Sequence, residues 1–405
     1  MRRFFKRTKT AILHALFRIV SFFTIKDENL WVFGAWAGKA YIDNSKYFFE
    51  YCQKHYPDKK YVWITRNDEA RSDLSSKGLN VVKIGTFEWF RTILKASVLV
   101  VSCGAGEIGG FFPSRCTAIN LWHGYGGKMH QPDKAIGATI VTSLVKLLVD
   151  NVNWYYWMAP SEYSIEILSI DHGVNKEQCY ITGQPRDDYI KSPIENNVVS
   201  MLKEKHKDCN RIIAYMPTWR SYYHTQCQPK HISDSEFDMI NEYCKGHGYL
   251  FLYKPHFSEL EHFANTDSRY SNIEIANINQ HPEYLDLYSY LGGLDLLICD
   301  YSSVIFDFLY ADKPVVLFPY DLERYNEKNG VPYDYFEDPC GPVCYNWNEV
   351  LKAIDDIYSD DQWVEARKRK KKLTHFYDDT QNCERIYRKV FELRNNDRKH
   401  IKKNR

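Results

Sequence analysis

The sequence has almost no net charge, no long apolar run and no pair of cysteines in a CxxC spacing. Its 53 Lys and Arg residues are balanced by 52 Asp and Glu residues, so the overall charge does not favour a nucleic acid partner. The 11 Cys are scattered, which fits a reduced, cytosolic compartment. Cys340 and Cys344 flank Gly-Pro-Val without a second ligand pair nearby, so we predict no zinc site.

No Asp-x-Asp string follows a predicted strand, which is where such a string would hold a metal and a diphosphate. We therefore expect no dedicated metal site and no cofactor, with cationic side chains and helix dipoles taking the role of the metal. Assistance by Mg²⁺ stays open as an alternative.

Residues 1–26 contain basic side chains and no acidic ones, with large apolar residues between them. His14 and Arg18 interrupt the apolar stretch, which is too short for a bilayer that requires about 20 residues. The unbroken apolar region and small-residue cleavage site of a signal peptide are also missing. We predict a basic amphipathic helix that binds an anionic membrane surface. The alternative is a helix packed on the protein's own core.

After Asp27, strand-like and helix-like patterns alternate, which predicts an α/β fold with parallel sheets. Residues 130–153 form a less regular insertion, and the polar segment 192–210 separates two such alternations. We predict two Rossmann-like domains that face a cleft, at 27–194 and 195–375. They follow the N-terminal helix 1–26 and precede a C-terminal helix with a basic tail at 376–405.

Residues 295–325 carry the strongest single pattern. The apolar run Leu296–Cys299 stops at Asp300, and Ser302 and Ser303 stand where a helical pattern begins. The first N–H groups of a helix lack internal partners and lie at the positive end of its dipole, so this junction suits phosphate. The alternative is that the serines only cap the helix.

Polar side chains also follow three other predicted strands. Because the carboxyl ends of parallel strands share one edge of a sheet, these groups suit an anionic donor, with histidine available for proton transfer. The candidates that follow the strands are His123, Gly124 and Lys128; Thr218 and Arg220; Lys254 and His256; and Asp300, Ser302 and Ser303.

Several of these strings resemble one family, the CDP-glycerol glycerophosphotransferases, which include teichoic-acid primases and polymerases. The resemblance runs from about Asn29 to Val343. It is carried by Leu30-Trp31-Val32-Phe33-Gly34, Asp43-Asn44-Ser45-Lys46-Tyr47, Leu121-Trp122-His123-Gly124, Gly183-Gln184-Pro185-Arg186-Asp187-Asp188, Tyr215-Met216-Pro217-Thr218-Trp219-Arg220, Lys254-Pro255-His256 and Asp300-Tyr301-Ser302-Ser303.

The resemblance implies a GT-B-like fold and transfer of an alditol phosphate from a CDP-alditol such as CDP-glycerol to a hydroxyl, with release of CMP. It implies a peripheral protein on the cytoplasmic face of the bacterial membrane, with a lipid-linked or glycan acceptor in teichoic-acid-like or capsule synthesis. His123 would be the general base, and His256 would contact the donor pyrophosphate. Ser302 and Ser303 would hold phosphate oxygens, with Arg220 as a further phosphate ligand.

The remaining candidates are expected to bind substrate, and Asp321 and Glu323 lie past the last strand, where a nucleotide ribose often binds. Tyr125-Gly126-Gly127 departs from the family pattern before Lys128, which leaves the acceptor and the alditol open. Two other functions compete with this one. A GT-B glycosyltransferase would use a nucleotide sugar instead, and a non-catalytic membrane scaffold would use the basic helix alone.

Overall fold

The computed structural model describes residues 13–14, 16–124, 155–192, 197–218, 220, 232–255, 260, 269–329 and 334–403. Lys128, His256 and the predicted insertion at 130–153 lie outside these ranges. The described residues form two units. The first contains those up to His123 together with 155–188 and 379–403, and the second contains Gly124 and 189–378.

The described strands of the first unit make a seven-stranded parallel sheet in the order β3-β2-β1-β4-β5-β6-β7. The run of apolar residues in each strand is buried because helices cover both faces of a parallel sheet. The strands are β1 (Leu30–Phe33), β2 (Lys60–Thr65), β3 (Val81–Lys83), β4 (Val98–Val101), β5 (Thr117–Asn120), β6 (Tyr155–Ala159) and β7 (Cys179–Ile181).

The second unit has a parallel sheet of five described strands in the order β10-β9-β8-β11-β12. Its two faces are covered by separate apolar clusters, one with Trp347 and one with Phe308 at its centre. The strands are β8 (Arg211–Met216), β9 (Tyr249–Tyr253), β10 (Ile273–Ile275), β11 (Leu296–Cys299) and β12 (Val315–Leu317).

Helices connect most of these strands, and several begin at residues whose side chains accept a backbone N–H, such as Asn67, Thr86 and Ser161. Single 3-10 turns occur at Trp36–Gly38, Ala105–Ile108, Lys176–Gln178, Pro282–Leu285, Leu287–Ser289 and Leu291–Gly293. The α-helices are α1 (Asp43–His55), α2 (Asp68–Ser76), α3 (Phe87–Lys95), α4 (Glu162–His172), α5 (Pro185–Lys191), α6 (Asn197–Lys205), α7 (Asp234–His247), α8 (Val304–Leu309), α9 (Leu322–Asn329), α10 (Asp334–Glu337), α11 (Trp347–Ser359), α12 (Val364–Thr374) and α13 (Asn382–Lys403).

The C-terminal helix α13 belongs to the first unit, although the sequence predicted it as a separate element. Ile386 and Val390 are fully buried in the same cluster as Trp31 and Phe33 of β1. The buried Asp397 accepts hydrogen bonds from Thr117 Oγ1 and Tyr156 OH, both at 2.6 Å. These contacts fix the helix against the sheet that is built from the beginning of the chain.

The predicted N-terminal helix is seen in residues 13–14 and 16–23, and one of its faces packs on the first unit. Phe17 is buried with its ring 5.0 Å from that of Phe111, and Ser21 is fully buried. Lys26, one of the basic residues of this segment, points inward and donates to Leu94 O at 2.7 Å. Burial lowers its pKa to about 8. The large apolar side chains left exposed are Leu13, Leu16, Ile19, Val20, Phe22, Phe23 and Ile25.

Within the described ranges, no helix combines the length and the apolar composition needed to cross a bilayer.

Candidate active site

His123 lies at the carboxyl edge of the first sheet, three residues after the end of β5. The sequence predicts a strand at Ala118–Trp122, but β5 stops at Asn120 because Trp122 adopts a positive φ of 55°. The Asn120 side chain supports this turn by accepting the Trp122 N–H at 2.8 Å. The chain therefore leaves the sheet sharply and exposes His123 beside the end of the neighbouring strand β4.

One ring nitrogen of His123 faces the loop after β4. Nδ1 lies 3.4 Å from the carbonyl oxygen of Ser102 and 3.2 Å from Cys103 Sγ. A carbonyl can only accept, so this contact favours a proton on Nδ1 and leaves the lone pair on Nε2. A neutral imidazole in this tautomer can remove a proton from an alcohol.

The surroundings of His123 favour the neutral form. Desolvation lowers the pKa of the imidazole, and the positive charges of Arg186 and His172 act in the same direction. The Asp43 carboxylate and the Ser102 carbonyl oppose this change, but the pKa still falls below its ordinary value. A general base is most useful when it is unprotonated at the working pH, which is what a lowered pKa provides.

The backbone on either side of the imidazole is held by side chains from two distant segments. Asn44 Nδ2 donates to Trp122 O at 2.8 Å, and Arg186 Nη1 donates to His123 O at 3.0 Å. Arg186 Nη1 also lies 3.0 Å from Asp43 Oδ1, and Asn44 Oδ1 accepts the Arg186 N–H at 3.1 Å. We call Asp43, Asn44 and Arg186 the His123 network.

A buried carboxylate fixes the loop that follows β4. Glu107 Oε2 accepts the N–H groups of Ser102 at 2.7 Å and Cys103 at 3.1 Å. Ser102 Oγ in turn lies 2.8 Å from Ser45 Oγ at the start of α1. Burial raises the pKa of Glu107 despite these two donors. The position of the Ser102 carbonyl, and so of the imidazole, thus depends on the interior of the unit.

In the second unit, the predicted residues Thr218, Arg220, Asp300 and Asp321 contact one another. Asp300 accepts Thr218 Oγ1 at 2.6 Å and Arg220 Nη2 at 2.7 Å. Asp321 accepts both Arg220 Nε and Arg220 Nη2 at 2.8 Å. We call these four residues the Arg220 network. It joins the loops that follow β8, β11 and β12.

Arg220 was predicted to bind donor phosphate, and in the structure its guanidinium already has protein partners, so this role stays a prediction. Only 1% of the residue is exposed, and its guanidinium lies among two carboxylates, the Thr218 carbonyl and the ring of Tyr325. Burial by itself would lower the pKa of Arg220, but Asp300 and Asp321 outweigh it, so the pKa lies above its usual value. Asp321 was expected near a ribose, and it is likewise occupied by Arg220.

Lys254 differs from Arg220 because no carboxylate among the described residues balances its charge. It directly follows β9, and its backbone N–H continues the ladder to Tyr215 O at 2.9 Å. Among the residues that the structure describes, none places a hydrogen-bond acceptor at its ammonium group. Burial lowers the pKa of Lys254. An anionic ligand would supply the missing negative charge.

Ser302 and Ser303 are half-buried and follow the Arg220 network through Asp300 and Tyr301. Ser303 is the N-cap of α8, but it makes no side-chain cap bond within the described chain. Ser302 Oγ accepts the Val304 N–H at a long 3.4 Å. Capping therefore accounts weakly for Ser302 and not for Ser303. Glu323 is exposed in the first turn of α9.

No group of three or more His, Cys, Asp or Glu side chains in the described ranges is arranged to hold a metal ion.

Sequence reasoning assigned no role to Asp43, Asn44, Arg186, Cys103 or Trp36. The first three stand in strings that carried the family resemblance, and that was the available signal. Nothing in the sequence predicts the contact of Cys103 with His123. The two residues are 20 positions apart, and Cys103 stands in none of the strings that carried the resemblance.

Comparison with known proteins gives one matching family model, described as CDP-glycerol:poly(glycerophosphate) glycerophosphotransferase, over residues 15–392. The chain is 26% identical over 365 residues to the teichoic acid poly(glycerol phosphate) polymerase of Bacillus subtilis (strain 168), covering 87% of this chain and 47% of that protein. It is 25% identical over 406 residues to the teichoic acid glycerol-phosphate transferase of Staphylococcus aureus (strain NCTC 8325 / PS 47). This alignment covers 94% of this chain and 97% of that protein.

The chain thus spans about half the length of the first curated relatives that it matches, at 47% of each. Among solved structures, the wall teichoic acid polymerase TagF matches with a TM-score of 0.74 at 20% identity over 98% of this chain and 99% of that chain. A His-to-Asn variant of TagF soaked with CDPG matches with a TM-score of 0.73 at 21% identity over 99% of both chains. At these identities the structures establish the fold, which is the predicted GT-B class. The family model covers most of the sequence, and the chain therefore belongs to the CDP-glycerol:poly(glycerophosphate) glycerophosphotransferase family.

Proposed function

We propose that this protein transfers glycerol phosphate, or another alditol phosphate, from a CDP-alditol to a hydroxyl of a lipid-linked or glycan acceptor and releases CMP. The observation that carries the proposal is the His123 imidazole, whose Nδ1 faces the Ser102 carbonyl while its pKa is lowered. The reaction belongs to teichoic-acid-like or capsule polymer synthesis. Membership of the family supports the donor class.

In this mechanism Nε2 of His123 removes the proton from the acceptor hydroxyl as its oxygen attacks the β-phosphorus, the one that carries the alditol. The bond between that phosphorus and the bridging oxygen breaks, and CMP leaves with the bridging oxygen. Phosphoryl transfer depends mainly on positioning and on neutralisation of the developing charge. The His123 network supplies the positioning because it holds the carbonyls of Trp122 and His123.

On the donor side, Lys254 balances phosphate charge. Its ammonium is the predicted cation that no described carboxylate neutralises. Ser302 and Ser303 donate hydroxyls to phosphate oxygens, since capping leaves them largely unused. The Arg220 network acts indirectly because it holds Asp300, from which the chain continues to these serines. His256 keeps its predicted role toward pyrophosphate, and Gly124, Lys128 and Glu323 keep theirs toward substrate.

We further propose a peripheral position on the cytoplasmic face of the bacterial membrane. The helix at 16–23 is buried on one side only, and its exposed side includes Ile19 and Phe23, with Phe87 of α3 also exposed. Sedimentation with anionic vesicles tests this directly. Phe23→Ser should weaken vesicle binding, because it removes an aromatic side chain that is 78% exposed, whereas Tyr345→Ser in the second unit should not. Equal sedimentation of both variants and the wild type would count against this surface.

The test of the reaction is CMP release by the purified protein with a membrane extract as acceptor. CDP-glycerol and CDP-ribitol are offered in parallel with UDP-sugars. Release of CMP from one CDP-alditol is the expected result, and it identifies the alditol. UDP release without CMP release would overturn the proposal in favour of a glycosyltransferase, and tight nucleotide binding without turnover would favour a scaffold. Turnover should persist in EDTA if Lys254 supplies the positive charge.

A further inference from the structure

A strained turn follows β1 in the first unit. Trp36, Ala37 and Gly38 have φ angles of 47°, 55° and 76°, so the backbone makes a short left-handed turn. Left-handed conformations bring Cβ close to the following carbonyl oxygen and cost free energy for every residue except glycine. A bulky tryptophan at such a position is rare, and strain of this kind persists only where the surrounding structure imposes it.

Contacts from two neighbouring segments impose the turn. Arg66 Nε donates to Ala37 O at 3.0 Å, and Thr65 Oγ1 donates to Gly38 O at 3.0 Å. A Cβ on Gly38 would lie 3.1 Å from Glu107 O, so the chain passes close to the turn that carries the buried Glu107. The Trp36 backbone is thus held while its side chain remains 49% exposed.

Hydrogen bonds connect this turn to His123, the candidate general base. Trp36 Nε1 donates to Asp43 Oδ2 at 3.4 Å, and the other oxygen of Asp43 pairs with Arg186, which holds His123 O. Asp43 and Trp122 also have positive φ angles. Four of the non-glycine residues with positive φ in the described chain therefore lie on this one connected path, and only Arg115 and Asp312 lie elsewhere.

We infer that Trp36 forms an acceptor subsite, in which the indole binds one face of a hexopyranose ring next to the hydroxyl presented to His123. This inference rests on the proposed function, because it names the acceptor class for that reaction. The negative π-face of an indole attracts the C–H groups that line one face of a pyranose. An acyclic polyol phosphate has no such face, so the subsite prefers acceptors that end in a sugar.

Two substitutions separate stacking from the hydrogen bond to Asp43. Trp36→Phe keeps an aromatic face and loses the N–H donor, whereas Trp36→Gln keeps an N–H donor and loses the face. With membrane extract as acceptor, we expect Trp36→Gln to raise the acceptor KM about tenfold. Trp36→Phe should retain most of the acceptor affinity, and the KM for CDP-glycerol should change in neither variant. The reverse order would overturn the inference, because Trp36 would then act through Asp43.

A direct binding measurement is independent of turnover. The full chain is labelled with 5-fluorotryptophan, and Trp36→Phe identifies the Trp36 resonance in the ¹⁹F spectrum. Methyl β-D-glucopyranoside should shift that resonance, and glycerol at the same concentration should not. No shift with the pyranoside, or equal shifts with both, would overturn the inference. Phe376→Ala, at a residue 63% exposed in the second unit, is the control for loss of a surface aromatic and should leave the shift unchanged.

The two failures are distinguishable. A wild-type protein that releases no CMP from any CDP-alditol, yet shows the pyranoside shift at Trp36, would refute the reaction and keep the sugar subsite. CMP release without the shift would keep the reaction and refute the subsite.

Discussion

Each unit buries an arginine against an aspartate at the carboxyl edge of its sheet, and the two arginines hold different things. Arg186 bonds the carbonyl of His123 and the carboxylate of Asp43, so it fixes a residue that performs chemistry in the proposed reaction. Arg220 bonds Asp300 and Asp321, so it fixes loops to one another. Both arginines stand in strings that carried the family resemblance, and both are buried. The groups left for the proposed chemistry are His123 in one unit and Lys254 in the other.

The largest expected effect comes from the residue that the Arg186 pair holds. His123→Ala should lower the rate of CMP release by about 10²–10⁴-fold, because a general base contributes that much to a proton transfer. The measurement is steady-state CMP release. His55→Ala, at an exposed histidine in the same unit, should retain wild-type turnover. Comparable activity in both variants would remove His123 from the mechanism.

Breaking the second arginine pair should mainly affect stability. Arg220→Met leaves the buried carboxylates of Asp300 and Asp321 without a cation, which should cost about 3–5 kcal/mol. Thermal unfolding followed by circular dichroism measures the loss. Arg269→Ala removes an exposed partner of Asp238 and should change the free energy of unfolding by less than about 1 kcal/mol. Similar unfolding temperatures for the two variants would contradict the role given to the Arg220 network.

Lys254, unlike the buried Arg220, is expected to contact the donor substrate. Lys254→Met should raise the KM for the CDP-alditol by about 10–100-fold, because a charge-assisted contact with phosphate is lost. The unfolding temperature should not fall, since the substitution removes a partly buried charge that lacks a described partner. Lys245→Met, at an exposed position on α7, is the matched control. An unchanged donor KM would show that Lys254 does not contact the donor.

The smallest effect concerns the pH profile. Activity should fall as the pH drops through the pKa of His123, because the protonated imidazole cannot accept a proton. Asp43 raises that pKa, whereas Arg186, His172 and desolvation lower it. Asp43→Asn removes a raising influence, so the acid limb of the rate profile should move to lower pH. A move to higher pH would mean that the titrating group is not His123.

Much of the fold can be predicted from the apolar runs and from the turn residues that separate them. Short apolar runs between turn residues predict strands at Leu30–Phe33, Tyr249–Tyr253, Ile273–Ile275 and Leu296–Cys299, and these are the observed bounds of β1, β9, β10 and β11. The sequence predicts one helix at Pro282–Leu291, whereas the structure has 3-10 turns there. The apolar spacing of this segment is typical of a helix. Gly292 packs closely on the Ile190 backbone, however, so tertiary packing overrides the local helix propensity.

The site could be predicted in part. Strand ends locate His123 and Lys254, because residues that follow buried parallel strands share one edge of the sheet. The sequence does not show that Arg220 would find its partners 80 and 101 positions away and become part of the interior. Nor does it mark the left-handed turn at Trp36, because no local residue preference predicts positive φ for a tryptophan.

The packing of α13 on the first sheet has a consequence for how the protein is made. Residues 189–378 are contiguous in sequence and can complete their own core as they leave the ribosome, since domains generally fold as units during synthesis. The first sheet must wait, because Ile386 and Val390 complete the cluster around Trp31 and more than 350 residues separate them from that strand. The unit that contains the first strands to be translated is thus the one whose core is completed last by the chain.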